Sequence, residues 1–284
     1  QWNWFDTTWI CWLTGICIFS FVLFYVWELE YKYPVIDIRV FKDRNFMFGT
    51  LASSFINVML YSTLLLVPMF VQSLLGYSPS MSGLTMFPRA IICLIGLIVV
   101  GEISRFVEAR LLATIGLLIM AVSVLMLTQM NTASSMESVI LPNILLCIGV
   151  PTAFVPITAL SFQTLPASKN ADAAALHALF KNIVTAIATS ASATFIARVS
   201  QVHQNYLVGN LTPHNPMFQY KLMALKSKFL IHYPSVMAAK KANGMLYKEL
   251  LQQAKLASFF DAFTVLAMMC IIIIPVLYIL KSKK

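Results

Sequence analysis

Arg89 is the residue whose type fits its sequence surroundings least. It follows Pro88 inside an apolar run, one to two turns from the end of that run. A charge near the bilayer centre costs roughly 2.5–3.5 kcal/mol on insertion scales, so such residues face a protein interior, a cavity or the membrane edge. Two outcomes are open for Arg89. It can snorkel to the edge, or pair with a carboxylate, for which Asp261 at the start of the last apolar run is the candidate. A second group is polar but uncharged. Asn57, Tyr61, Leu64, Pro68 and Gln72 fall on one helical face. Hydrogen-bonding groups beside an aromatic ring suit the wall of a substrate cavity. Plain helix–helix hydrogen bonding, worth about 0.6 kcal/mol each, is the competing role. His177, Lys181, Thr185, Ala188 and Ser192 form a third set, a stripe expected to face inward, although Lys181 could mark the membrane edge by snorkelling. Asn143 and Thr185 complete the expected cavity residues.

The chemistry in these residues is recognition, not catalysis. The sequence has no nucleophile–base arrangement, no phosphate-binding glycine loop and no metal-ligand spacing, so no enzyme and no cofactor are expected. Cys11, Cys17, Cys93, Cys147 and Cys270 all lie in apolar runs, where they are expected to pack as small apolar side chains rather than form a disulfide framework. No Asp or Glu falls in the middle of an apolar run. A proton-coupled device needs such a group, so its carboxylate is expected outside this chain.

The elements that hold these residues must be membrane helices. Hydrophobic residues make up 59% of the chain and charged residues 11%, against roughly 45–50% and about 25% in soluble domains. Apolar runs occupy Thr8–Trp27, Met47–Leu75, Leu84–Val100, Leu111–Leu127, Val139–Phe162, Ala173–Ile196 and Phe259–Leu280, each near the length that spans a bilayer. The fifth carries Pro142, Pro151 and Pro156, which kink a spanning helix; Pro151 and Pro156 are the expected gating or structural positions. The sixth is rich in Ala, Ser and Thr, which lets helices approach closely. Residues 198–258 form a polar insertion with two expected helices. Phe218, Leu222, Leu225 and Phe229 mark the first, a basic amphipathic helix, and Met245 to Leu256 the second. Such a helix caps the span ends, docks a partner or lies on headgroups.

The net charge of +9 follows from topology, not from nucleic-acid binding. Lys32, Arg39, Lys42, Arg44, Arg105, Arg110, Lys169, Lys281, Lys283 and Lys284 all fall on one side of seven spans. The positive-inside rule puts that side in the cytoplasm, with the N-terminus outside. The insertion is long enough to escape the rule. Asn210-Leu211-Thr212 matches a glycosylation acceptor, weakened by Pro213. The chain opens on Gln1 without a signal-peptide pattern, so a processed product or a portion of a longer protein is expected.

A succession of motifs carries a family resemblance: Glu28-Leu-Glu, Pro34-Val-Ile-Asp-Ile, Phe41-Lys-Asp-Arg-Asn-Phe46, Val67-Pro-Met-Phe-Val-Gln72, Leu75-Gly-Tyr-Ser-Pro and Ser82-Gly-Leu-Thr-Met-Phe-Pro88. Leu165-Pro166 followed by Ala173-Ala-Ala-Leu adds to it. Together they resemble the 14-spanning drug:proton antiporter branch of the major facilitator superfamily, of EmrB/QacA type, over that family's C-terminal half. The resemblance implies an all-α polytopic membrane protein: a linker helix (1–27), a cytoplasmic connecting segment (28–46) and a six-helix C-terminal bundle (47–284) with a periplasmic loop at 197–258. It implies proton-coupled export of amphipathic compounds across a bacterial inner membrane, by two bundles rocking about a central cavity. It also implies a missing N-terminal bundle, a periplasmic adaptor and an outer-membrane channel as partners, and a latch-like role for Arg105 and Arg110. Two other readings stand beside it: an inactive half-transporter or membrane interaction protein, and a seven-helix receptor of the same topology.

Overall fold

A computed structural model describes residues 7–30, 37–132, 134–209, 211–212 and 216–280. Trp2, Trp4, Lys32, Pro34, Asn210, Pro213 and the terminal lysines, which entered the expectations above, lie outside these residues. Among the described residues the chain is helical, without strands: α1 (Thr8–Glu30), a short 3-10 helix (Ile38–Lys42), α2 (Arg44–Leu74), α3 (Pro79–Ile103), α4 (Ala109–Leu127) and α5 (Met136–Phe162). A 3-10 turn (Ala167–Lys169) then leads into α6 (Asn170–Val208), α7 (Pro216–Leu230) and α8 (Ser235–Ile279). All but α7 are long and apolar enough to cross a membrane, seven in all, as the apolar runs require.

The helix starts are written locally. Asp43 accepts the backbone N–H of Phe46 at 2.9 Å and caps α2. Ser78 caps α3 through Met81 N–H, with Pro79 in the first turn. Before it, Gly76 takes φ +71°, a left-handed turn conformation that glycine adopts without strain. Two elements exceed their apolar runs by several turns. α6 continues past Ile196 to Val208, and α8 begins at Ser235, well before Phe259. The polar insertion is therefore mostly helix. α8 has 45 residues, about 68 Å at 1.5 Å per residue, more than twice a roughly 30 Å hydrocarbon core. α7 packs along its projecting part, with Lys221 Nζ 3.1 Å from Glu249 Oε1. The amphipathic helix at Phe218–Phe229 and the helical Met245–Leu256 stretch are both present.

The bundle core joins α2, α4, α5 and α8 through Phe70, Met120, Leu146, Phe259 and Phe263. At the α4–α5 seam two backbones come close together. A Cβ built on Gly116 would sit 2.4 Å from the backbone nitrogen of Ala153, and one on Gly149 would sit 2.9 Å from the carbonyl of Gly116. Close glycine contact of this kind lets membrane helices gain dispersion contacts. α1, in contrast, buries none of its most apolar stretch. A second, smaller core holds the segment after α1 against the bundle: Val40 and Phe46 pack on Ala173 and Leu176. Asp37 accepts from Lys169 Nζ at 3.0 Å, and Asp43 accepts from Thr164 Oγ1 at 2.7 Å. Both acids thus dock the segment onto the α5–α6 turn. The Lys169 ammonium holds the Asp37 carboxyl below its usual range, helped by the Arg39 backbone N–H.

Candidate functional site

The outward face of α2 is the first candidate. Pro68 lies on it, and Tyr61 is 43% exposed, Leu64 46% exposed and Gln72 exposed. Asn57 is on the same face but is 7% exposed, and its Nδ2 donates to Ser53 O of its own helix at 2.8 Å. The exposed part of the face is thus a phenol, a leucine and an amide. Thr185 on α6 is half-buried and donates to the carbonyl of Lys181 at 2.7 Å. Apolar clefts open beside other faces of α2, one against α6 and α8 lined by Val58, Leu66, Phe195 and Met269.

The α6 stripe faces inward. His177 Nδ1 lies 3.2 Å from Thr50 Oγ1, and its ring meets Phe162 edge-on. Ser192 Oγ donates to Ser62 Oγ at 2.9 Å. Lys181 does not reach outward: its ammonium stands 6.0 Å from the ring centre of Phe154 on α5, the limit of a cation–π contact. Turned away from this stripe, α6 presents Ala171, Ala175, Ala178, Asn182, Ala186 and Ala193, all exposed.

Arg89 departs from both expected outcomes. It is 4% exposed and does not snorkel. The expected pair with Asp261 is not formed: Asp261 Oδ2 lies 2.7 Å from His203 Nε2, farther out along α6. Arg89 instead donates to Leu60 O at 3.0 Å, Thr63 Oγ1 at 3.1 Å and Asn143 Oδ1 at 3.3 Å. One guanidinium, with its donors in a rigid fork, ties α2, α3 and α5. Asn143 is accordingly corrected from the cavity wall to the interior, 1% exposed, with its Nδ2 donating to Val139 O. The physical reason is the amide's acceptor, the best neutral partner within reach of a buried cation.

The remaining expected positions are structural in geometry. Arg105 bridges Glu102 on the surface at 3.1 Å. Arg110 Nη2 donates to the carbonyl of Leu280, satisfying an orphan acceptor at the end of α8. Pro151 is buried against Gly96, and Pro156 is buried within α5. Sequence reasoning missed Thr63, Thr50 and Ser62. Each is a small hydroxyl on α2, which within membrane runs reads as ordinary helix packing. The spacing of Thr63 six residues after Asn57 put it off the face that was read.

A family model described as Major Facilitator Superfamily matches residues 3–189. The chain is 28% identical over 218 residues to "Probable multidrug resistance protein EmrY" of Escherichia coli, covering 76% of this chain and 42% of that protein. It is 24% identical over 279 residues to "Fatty acid resistance protein FarB" of Neisseria gonorrhoeae, covering 98% and 54%. It is 23% identical over 280 residues to "Multidrug export protein EmrB" of Escherichia coli, covering 98% and 53%. The chain spans about half the length of these relatives. In fold it resembles the inward-facing crystal structure of a bacterial homolog of the human lysosomal transporter Spinster, with TM-score 0.60 and 15% identity, over 84% of this chain and 49% of that one.

Proposed function

This chain belongs to the major facilitator superfamily, and on that premise we propose that it is the C-terminal portion of a proton-coupled efflux transporter for amphipathic compounds. The observation that carries the reading is a bundle packed on one side and open on the other. Tyr61, Leu64 and Gln72 on α2 and the small-residue face of α6 are exposed, as surfaces that meet a second bundle and a substrate would be. In this reading residues 1–27 are a linker helix, 28–46 connect on the cytoplasmic side, and 47–284 are the second bundle. The N-terminus faces the periplasm of a bacterial inner membrane and the C-terminus the cytoplasm, a reading supported by the basic residues of the short loops.

Transport follows by alternating access, the two bundles rocking about a midplane cavity. Tyr61 supplies an aromatic surface and a hydroxyl, Gln72 an amide, and Thr185 a hydroxyl at that wall. Asn57 backs Tyr61 from within. Arg110, bound to the end of α8, and Arg105 brace the cytoplasmic gate. The proton-carrying carboxylate belongs to the first bundle, since the apolar runs here hold none mid-span. The projecting α6, α7 and the start of α8 offer a docking place for a periplasmic adaptor and, through it, an outer-membrane channel. The relatives named for multidrug and fatty acid resistance support an amphipathic substrate.

The test is dye efflux from efflux-deficient bacteria expressing this chain together with its N-terminal bundle. Efflux that collapses with a proton ionophore, and that falls at least several-fold in Tyr61→Ala and Gln72→Ala at equal expression, supports the reading. Unchanged efflux in both variants overturns the wall assignment, and efflux indifferent to the ionophore overturns proton coupling.

A further inference from the structure

α3 and α5 run side by side in the same direction, and their contacts repeat in register. Arg89 meets Asn143 at 3.3 Å. Two turns farther along, a Cβ on Gly96 would stand 2.8 Å from Cγ of Pro151, so the two backbones are close there. Between these contacts the register sets Cys93 of α3 opposite Cys147 of α5. Their thiols are side-chain neighbours across the seam, and the Arg89 guanidinium also reaches Cys147. Cys147 is 1% exposed, while Cys93 is half-buried. One thiol can therefore be reached by a small oxidant while its neighbour is shielded from it. Cys11, Cys17 and Cys270 lie apart from this seam, on α1 and α8.

We propose that Cys93 and Cys147 are an oxidisable pair, a modification site at which a hydroperoxide closes a disulfide between α3 and α5. Cys93 is the peroxidatic sulfur and Cys147 the resolving one. The Cys93 thiolate attacks one peroxide oxygen, the O–O bond breaks, and the other oxygen leaves as an alkoxide or hydroxide that takes up a proton. Cys93 is then a sulfenic acid. The Cys147 sulfur attacks the Cys93 sulfur, the S–O bond breaks, and water leaves with the Cys147 proton. Overall two thiols are oxidised by two electrons, and one hydroperoxide is reduced to water and an alcohol, or to two waters. The Arg89 guanidinium, held in place by Leu60, Thr63 and Asn143, stands one helical turn before Cys93 on α3 and supplies an opposite charge to a thiolate formed there. The disulfide would staple the helices that Arg89 already joins, and its formation does not depend on the transport reading.

Membranes bearing the full protein are treated with hydrogen peroxide or tert-butyl hydroperoxide, alkylated, and digested without reductant. The expected product is a cross-linked peptide joining Cys93 to Cys147, the parallel loss of both free thiols, and recovery of both with dithiothreitol. Cys147→Ser should remove the cross-link and leave Cys93 trapped as sulfenic acid, detected with a dimedone probe. Cys93→Ser should protect Cys147 from oxidation altogether. Both thiols alkylated after oxidant, or Cys93 oxidised to sulfinic acid while Cys147 stays free in the unaltered protein, overturns the pair.

Discussion

The α4–α5 seam and the outer face of α6 are both rich in small residues, glycine at one and alanine at the other, and use them in opposite ways. At the seam, Gly116 and Gly149 bring two backbones into contact, leaving no room for a Cβ. On α6, Ala175, Ala178, Ala186 and Ala193 lie exposed, and only 6% of the helix's most apolar stretch is buried, against 61% in α5. The difference teaches that small-residue content marks a surface made for close approach without saying whether the partner is within the same bundle. α5 finds its partner in this chain. α6 leaves many of its small residues exposed.

Effects on bundle stability should divide along this line. The largest is expected at the seam. Gly116→Val drives a side chain into the Ala153 backbone, which cannot move aside, and should cost about 3 kcal/mol. Fluorescence-detected size exclusion during heating would register the loss as aggregation at lower temperature. A native melting profile would break the seam side of the contrast. Next comes the Arg89 knot. Arg89→Leu removes the donors to Thr63 and Asn143 and leaves a buried amide oxygen unmatched, a cost of about 1–3 kcal/mol. Arg89→Lys should recover little of it, because an ammonium is a point charge and cannot fork to acceptors on two other helices. A Leu variant that melts higher than the parent would mean the buried charge is kept for a purpose other than stability.

A smaller effect depends on pH. The Lys169 ammonium lowers the Asp37 carboxyl below its ordinary 3.8. A carboxylate depressed in the folded state contributes stability above its unfolded pKa and loses it as pH falls through the lower folded value. The docked segment should therefore weaken only below about pH 4, by about 0.5 kcal/mol for a partly exposed pair. Asp37→Asn should remove that pH dependence, as read by proteolysis at the α1–α2 connection; a weakening already present near pH 6 would contradict it. The smallest effect is expected on α6. Ala178→Leu and Ala186→Leu should shift bundle stability by no more than about 0.5 kcal/mol, yet reduce efflux when the N-terminal bundle is present. Destabilisation equal to that of Gly116→Val would erase the contrast.

Much of the fold was readable in order along the chain. The apolar runs located every spanning helix because a bilayer demands about 20 apolar residues in a row, which is a local property. The apolar runs put the starts of α2 and α3 late, at Met47 and Leu84: Asp43 and Ser78 cap helices that begin at Arg44 and Pro79, and a cap is polar and lies outside the apolar run. The ends of α6 and the start of α8 were not readable either, since outside the hydrocarbon a helix needs no apolar run and its propensity is weak. The candidate site was legible only in part. Tyr61 and Gln72 are exposed on one face of α2, while Asn57 on that face and Asn143 on α5 turn inward.

Arg89 separates the two kinds of knowledge. The sequence by itself determined that this is a helical membrane protein with seven spans, and that a charge in the third apolar run had either to reach the membrane edge or to find a partner. Hydrophobic free energy is set residue by residue, so composition and run length suffice for that much. Only the tertiary structure decided which partner. Asn143 lies 54 positions away, and the choice between it and Asp261 rests on the relative register of α3 and α5. In that register Gly96 fits against Pro151, a match of shapes between distant segments that neither segment displays alone.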